Sequence, residues 1–370
     1  MRNTLICTVG TSLLGNFSRA DEKFKEALND QNWQQLSLLL LECENSDRLC
    51  GAEINSITSI CNANLMAAKK KLIFLVSDTQ DGKKIGQLLK LYYENAKNPI
   101  RFESVEVRPL VGLRDDDVKA FRREGLKNLV REISEITKTS LPPAIAINAT
   151  GGYKAQISFA GMIGQALGIP VYYLFEKFSE VIELPPQPIA LDLAFWLNNY
   201  LFFEQLEADQ IVKKSAVEMD DNSLFDSFIE EEKTKEGEEI ITLSAMGELF
   251  HERCRLEFAK QETTLLRLIP VDDTDPEKKS IKLADHHGKD VLLDFAKKIR
   301  HSPYVKKIVN SIDHNSKRTH PIQKTTKDGI VEFILVWTEK GYGLCIQTTG
   351  RNLAETNSIA LHLQKEFSRG

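Results

Sequence analysis

Asn148-Ala149-Thr150-Gly151-Gly152-Tyr153-Lys154-Ala155-Gln156 is the stretch on which the reading of this chain turns. Residues 144–147 before it form an apolar run of strand length, and residues 157–167 after it mix small and apolar residues as a helix does. A strand, a Thr-Gly-Gly turn and a helix make an anion trap. The helix start offers unpaired N–H groups and the positive end of its dipole, and glycine lets a ligand approach the backbone closely. Lys154 adds a mobile positive charge. A purely structural strand-to-helix turn is the competing reading.

The same chemical idea occurs at the amino terminus. An apolar strand over residues 3–9 is followed by Gly10-Thr11-Ser12-Leu13-Leu14-Gly15-Asn16. Helical periodicity then covers 22–41 and 54–70, a strand covers 71–76 with Ser77-Asp78-Thr79 at its end, and a helix covers 83–96. A strand over 101–108, the acidic residues Asp115–Asp117 entering a helix over 118–137, and a strand over 170–175 complete the pattern. Alternating strands and helices predict an α/β fold with a mostly parallel sheet, whose ligands bind outside the carboxyl ends of the strands. The turns at Gly10, Asp78-Thr79 and Thr150 all fall there. Asp78 and Thr79 are placed to line a pocket, a solvated turn being the alternative. The sequence holds no Gly-x-Gly-x-x-Gly after the first strand and no Gly-x-x-x-x-Gly-Lys-Ser/Thr, which argues against a dinucleotide or P-loop enzyme.

Composition is that of a globular protein. No run reaches the roughly 18 apolar residues that span a bilayer, and the amino terminus does not read as a signal peptide. The six cysteines are scattered without Cys-x-x-Cys spacing, so reduced thiols in a cytoplasmic protein are expected. Residues 285–370 carry 14 Lys+Arg against 9 Asp+Glu, a net +5 in a chain of net −5. A basic carboxy-terminal part on an acidic body suggests that only this part meets a polyanion. Ordinary surface charge is the alternative.

Two segments with these turns, TVGTSLLGN (8–16) and NATGGYKAQ (148–156), resemble the CARF family, the CRISPR-associated Rossmann fold. RPLVGLRDDDVKAFRREGLKNLV (108–130) and ELPPQPIALDL (183–193) are similar to its middle portion and its exit. The resemblance covers about residues 1–188 and implies a homodimer that binds a cyclic oligoadenylate, usually cyclic tetra-adenylate, in a two-fold symmetric pocket during phage infection. It implies ligand contacts from Gly10, Thr11, Ser12 and Asn16, and from Thr150, Gly151, Gly152, Lys154 and Gln156. Hydroxyls and backbone N–H groups would meet phosphate and ribose oxygens, and Lys154 would neutralise charge.

Residues 189–280 read as a helical, winged-helix-like connector. Its first part, 189–205, is apolar and aromatic. Residues 220–239 read as a helix end followed by a solvated acidic loop, residues 241–260 as a helix capped by Ser244, with His251 on its surface or in ordinary packing, and 271–279 as a turn-rich boundary.

Residues 281–370 read as a small α+β domain: a basic amphipathic helix over 290–312, with a break near Ser302-Pro303 as the alternative to a continuous one, strands over 330–338 and 342–348, and a terminal helix over 353–367. No Arg-x4–6-His spacing of a HEPN ribonuclease is present, and the strand with Gln347 has Thr349 where a restriction-like nuclease needs Lys. DGIVEFILVWTEKGYGLCIQTTGR (328–351), together with residues 352–370, resembles the RelE-type toxins, ribosome-dependent mRNA interferases. This resemblance implies metal-free and cofactor-free cleavage of mRNA in the ribosomal A site by 2′-hydroxyl attack, leaving a cyclic phosphate and a 5′-hydroxyl end. Arg351 matches the family's phosphate-binding arginine and Lys324 lies near a family lysine. Arg318, His320 and Lys327 belong to the same basic segment, with His320 as a stand-in acid or base. Two positions depart from the family: Val331 stands near its strand arginine and Asn357 near its helix tyrosine. The whole chain then reads as a cyclic-oligoadenylate sensor joined to a RelE-like ribonuclease that arrests translation. A non-catalytic module binding nucleic acid or the ribosome, and a diverged metal-dependent nuclease, are the alternatives.

Overall fold

The computed structural model describes residues 2–176, 178–185, 191–209, 211–216, 225–234, 236–284, 289–314, 320–336 and 341–367. The chain divides into two compact units, Met1–Ala190 and Leu191–Gly370. Arg318 and residues 186–190 of the exit segment lie outside the described residues.

The first unit is built on strands β1 (Thr4–Thr8), β2 (Lys71–Ser77), β3 (Ser104–Leu110), β4 (Ile145–Asn148), β5 (Val171–Tyr173) and β6 (Ile182–Leu184). Their order is β3-β2-β1-β4-β5-β6, parallel throughout except for the antiparallel edge strand β6. Strands β1 and β4 are buried along their whole length, as expected for central strands covered on both faces. Helices α1 (Ser12–Phe17), α2 (Glu22–Asn29), α3 (Trp33–Leu41), α4 (Gly51–Asn62), α5 (Gln80–Glu94), α6 (Val118–Ala120), α7 (Leu126–Thr139) and α8 (Lys154–Leu167) connect them. In α7, Leu126, Leu129, Val130, Ile133 and Ile136 recur at helical spacing and are buried together. Gly168, at φ +70°, ends α8 in the left-handed conformation.

Two helical expectations need correction. The stretch 22–41 is two helices, broken where Gln31 takes φ +50° and Asn32 caps α3 by accepting the Gln35 N–H. The stretch 54–70 is helical from Gly51 and stops at Asn62, because Asn64 adopts φ +56°.

The second unit begins with α9 (Leu193–Asn198) and α10 (Tyr200–Asp209), then β7 (Val212–Lys213), α11 (Phe225–Phe228), β8 (Ile229–Lys233), β9 (Glu239–Leu243) and α12 (Ala245–Leu266). The acidic stretch read as a loop is a hairpin: Glu230–Glu232 lie in β8, paired with β9, and β7 pairs on its other side. The alternation that puts Ile229 inside and charges outside overrides the poor strand propensity of the glutamates. Ser244 caps α12 by accepting the Gly247 N–H.

After α13 (Lys289–Ile299), the strands β10 (Val305–His314), β11 (Ile322–Thr325), β12 (Ile330–Val336) and β13 (Gly341–Thr348) form an antiparallel sheet of order β10-β13-β12-β11, closed by α14 (Leu353–Phe367). The helix expected over 290–312 therefore ends at Ile299. Beyond Ser302-Pro303 the chain is β10, with Val305 and Ile308 buried and Lys306 and Lys307 exposed. Ile308, Ile322, Val331, Phe333, Leu344 and Ile346 form one buried sheet face with Phe295 and Ile299 of α13 and Ile359 and Leu363 of α14. The same core includes Trp196, Tyr200, Phe203, Ile241 and Phe258, so segments 189–280 and 281–370 share one hydrophobic interior. All six cysteines are free, and among the described residues no helix is long and apolar enough to cross a membrane.

Candidate functional site

In the first unit the chain runs outward from β1 through β2 to β3, then returns to place β4 on the other side of β1. That reversal makes a crevice at the carboxyl ends of β1 and β4, where open α/β sheets bind ligands. Gly10 follows β1, and Gly151-Gly152 follow β4. The turns touch: a methyl on Gly10 would lie 3.0 Å from the Gly152 nitrogen. A methyl on Gly152 would lie 2.3 Å from Gln156 Oε1, and its φ of +111° disfavours any side chain. Thr8 Oγ1 donates to the Gly151 carbonyl and ties the second turn to β1.

The predicted contact residues separate into those that face outward and those that hold the turns. Thr11 and Ser12 are exposed, as is Lys154 at the first position of α8. Among the described residues Lys154 has no ion-pair partner. Gly10, Gly151 and Gly152 present backbone between them. Gln156, by contrast, is fully buried. Its Nε2 donates to the Leu75 carbonyl and its Oε1 accepts the Tyr153 N–H, so it braces the helix start. The Thr150 hydroxyl is also turned inward, donating to Asn148 Oδ1 at 2.7 Å and accepting the Leu174 N–H at 3.0 Å. Asn16 donates to the Arg48 carbonyl. Thr79 caps α5 by accepting the Gly82 N–H. Asp78 pairs with Lys83 at 2.7 Å, and that hydrogen bond holds its carboxyl below the ordinary value. One residue escaped the sequence reading: Glu53, in the first turn of α4, is buried directly beneath both glycine turns. Nothing in its local sequence marks it.

In the second unit the basic candidates do not converge. Thr348 N donates to the Gly329 carbonyl and a methyl on Gly329 would lie 2.7 Å from the Gly350 carbonyl oxygen, so the Lys327 turn and the Arg351 loop share one end of the sheet. Both cations are exposed. Arg351 is clasped by Glu355, with Nη2 at 2.6 Å from Oε1. Lys324 lies on the edge strand β11, paired in register with Glu332 of β12, which pairs with Cys345 of β13.

His320 is at the other end, where Ile334 N donates to the Pro321 carbonyl. It lies 3.0 Å from Glu204 and within hydrogen-bond distance of the Tyr200 hydroxyl. It joins a buried network with His251, which is wholly inside rather than on the helix surface. Trp196 Nε1 donates to His251 Nδ1 at 2.8 Å. An indole N–H can only donate, so the ring proton of neutral His251 sits on Nε2, amid Glu204, Glu207 and Arg255. Burial opposes the charge of Glu204, but His251, His320 and Arg255 hold it well below the ordinary carboxylate value; Glu207 is likewise lowered to about 2. Glu204, Glu207 and His251 offer ligand atoms within 4.8 Å of one another, yet the Arg255 guanidinium stands among them and supplies the positive charge. Asn357 is buried and donates to the Leu197 carbonyl, and Val331 is buried in the sheet core, so neither family-departing position faces a substrate. Thr349 is buried and Gln347 Nε2 donates to the Asp328 carbonyl.

Residues 48–187 match a protein-family model described as CRISPR-associated protein (Cas_APE2256). Among solved structures, the chain is similar to Can2 from Sulfobacillus thermosulfidooxidans in complex with cyclic tetra-adenylate, at 12% identity over 74% of this chain and 68% of that one, with a TM-score of 0.25. It is also similar to protein VC1899 from Vibrio cholerae, at 10% identity over 95% of this chain and 78% of that one, with a TM-score of 0.24.

Proposed function

We propose that the first unit is a CARF-type sensor that binds a cyclic oligoadenylate, cyclic tetra-adenylate being the first choice, as a homodimer in type III CRISPR defence. The observation that carries this reading is the meeting of the Gly10 and Gly151-Gly152 backbones at the switch point of the sheet, with Thr11, Ser12 and Lys154 facing outward beside them. The start of α8 supplies N–H groups and a positive dipole end for phosphate, and Lys154 supplies charge. The match of residues 48–187 to a CRISPR-associated family agrees with it. Isothermal titration of the full chain with cyclic tetra-adenylate tests the reading, and absence of binding would end it.

For the second unit the reading is a RelE-like, ribosome-dependent mRNA ribonuclease switched on by that ligand. Its support is the pairing of Lys327 and Arg351 at one sheet end, where two cations can hold a phosphate in its cleavage transition state. Ligand can activate it only by binding the active state more tightly. Primer-extension mapping of mRNA in a purified translation system, with and without cyclic tetra-adenylate, tests it. Cleavage of naked RNA to the same extent would count against it. A second reading, a non-catalytic module that binds nucleic acid or the ribosome, is favoured by a specific observation: His320 is engaged with Glu204 and Tyr200 at the far end of the sheet, so it does not serve Arg351 as acid or base. Ligand-dependent ribosome association without mRNA ends would select this second reading.

A further inference from the structure

Glu53 is wedged where the two glycine turns meet. It is 1% exposed, and its Oε1 accepts the Gly10 N–H at 2.7 Å. On its other side a methyl at Gly151 would lie 2.0 Å from the same oxygen, so the carboxyl packs against the Gly151 backbone. Its Oε2 is buried without a hydrogen-bond partner. A carboxylate with one backbone hydrogen bond and no cation is an expensive buried charge, and its neutral form is favoured. Burial pushes its pKa up in agreement with this geometry.

The charge of Glu53 acts on Cys7 of β1 and Tyr93 of α5, both of them pushed up chiefly by burial and therefore neutral. Among the described residues no basic side chain pairs with it. All seven histidines of the chain lie between His251 and His362, so the first unit has none. The raised carboxyl of Glu53 is then a titratable group lying directly beneath these turns.

We propose that Glu53 is a proton-linked positioning residue: it ties the Gly10 turn to the Gly151 turn, and it takes up one proton from solvent when an anion settles on them. The inference rests on the reading of these turns as the cyclic-oligoadenylate site. A phosphate on the N–H groups of the Gly151-Gly152 turn and the start of α8 places a like charge close to Glu53 across a dry interior, and like charges disfavour a second ionisation. The proton goes to Oε2, the oxygen without a partner. Below the pKa of the free protein Glu53 is already protonated and affinity is flat. Between the free and the ligand-bound pKa, affinity falls with rising pH, by at most about tenfold per pH unit for one proton.

The test is calorimetric titration of the full chain with cyclic tetra-adenylate, in buffers of different ionisation heat across about pH 5 to 8. Wild type takes up protons on binding and weakens as pH rises. Glu53→Gln, which keeps an acceptor for Gly10 but cannot ionise, binds without that uptake and without the pH slope. Equal uptake in both proteins, or none in wild type, overturns the inference while leaving the ligand reading intact. No binding by wild type at any pH removes the ligand reading and this inference with it. Should Glu53→Gln not fold, Glu53→Asp retains a carboxyl with a shorter reach to Gly10; the pH at which affinity falls then shifts, and an unmoved midpoint overturns the inference.

Discussion

Two glutamates, a buried one in the first unit and a half-buried one in the second, are solved in opposite ways. Glu53 has a single backbone donor and no cation, so burial raises its pKa. Glu204 has His251, His320 and Arg255 around it, so despite burial it stays ionised with its pKa well lowered. The difference teaches what each unit does with charge. The first sets a carboxyl without a cation partner among the described residues on the floor of its crevice and leaves the outward rim to backbone N–H groups and Lys154. The second spends His251, His320 and Arg255 on internal cohesion and leaves Lys324, Lys327 and Arg351 at the surface.

The strongest way to break this contrast is to remove the cation from the second unit. Arg255→Ala strands the half-buried Glu204 and Glu207, and a loss of about 2 kcal/mol is expected in urea unfolding, the scale for removing hydrogen bonds to charged groups. A loss below about 0.5 kcal/mol, the level of an exposed pair, would show that the network does not hold the unit. Next comes Gly151→Ala, whose methyl would collide with Glu53. Overpacking of this kind costs about 1–3 kcal/mol, and binding of cyclic tetra-adenylate is expected to disappear with it. Unaltered binding would place the ligand elsewhere.

Lys154→Ala should weaken ligand binding about tenfold, the worth of one charge-assisted hydrogen bond, and flatten its salt dependence while leaving unfolding unchanged. Smallest is Arg351→Ala: Arg351 and Glu355 are a surface pair, so unfolding should be unchanged while ligand-dependent mRNA cleavage is lost. Retained cleavage would exclude Arg351 from the chemistry.

The two units should also respond oppositely to acid. Glu53 is raised above 4.5, so its contribution to stability is complete below that value and is lost as pH rises through its folded pKa. Glu207 is lowered from 4.5 to about 2, so its contribution is present above about 4.5 and disappears as pH falls toward 2. His320 is raised above 6.5 by Glu204 against the opposing effect of burial. The destabilisation caused by His320→Gln should therefore be largest below about pH 6.5 and shrink above the folded pKa. A pH-independent cost would sever the link between His320 and Glu204.

Much of the first unit was legible because its strands are apolar runs punctuated by turns, and local pattern is enough to recognise such elements. The placement of Gly10, Thr11, Ser12 and Lys154 followed from those strand ends. That the polar side chains of Gln156 and Thr150 turn inward, to Leu75 and to Asn148 and Leu174, was not legible. A sequence gives no direction for a side chain. In the second unit, the run from Asp290 to Ile312 carries a helical pattern throughout, yet pairing with β13 claims its second half. His251 and His320 are 69 residues apart in the chain, and nothing local indicates that Glu204 joins them.

By itself the sequence determined the alternation of strands and helices, the glycine turns after the first and fourth strands, and the basic character of the carboxy-terminal part. These depend on hydrophobic period, backbone freedom and composition, all local properties. The tertiary structure alone decided that Gly10 and Gly152 meet over Glu53, that Arg351 and Lys327 share a sheet end while His320 does not, and that Arg255 stands among the half-buried carboxylates. Those outcomes depend on strand order and burial. Both arise only when distant segments pack, because desolvation and charge pairing act through space and not along the chain.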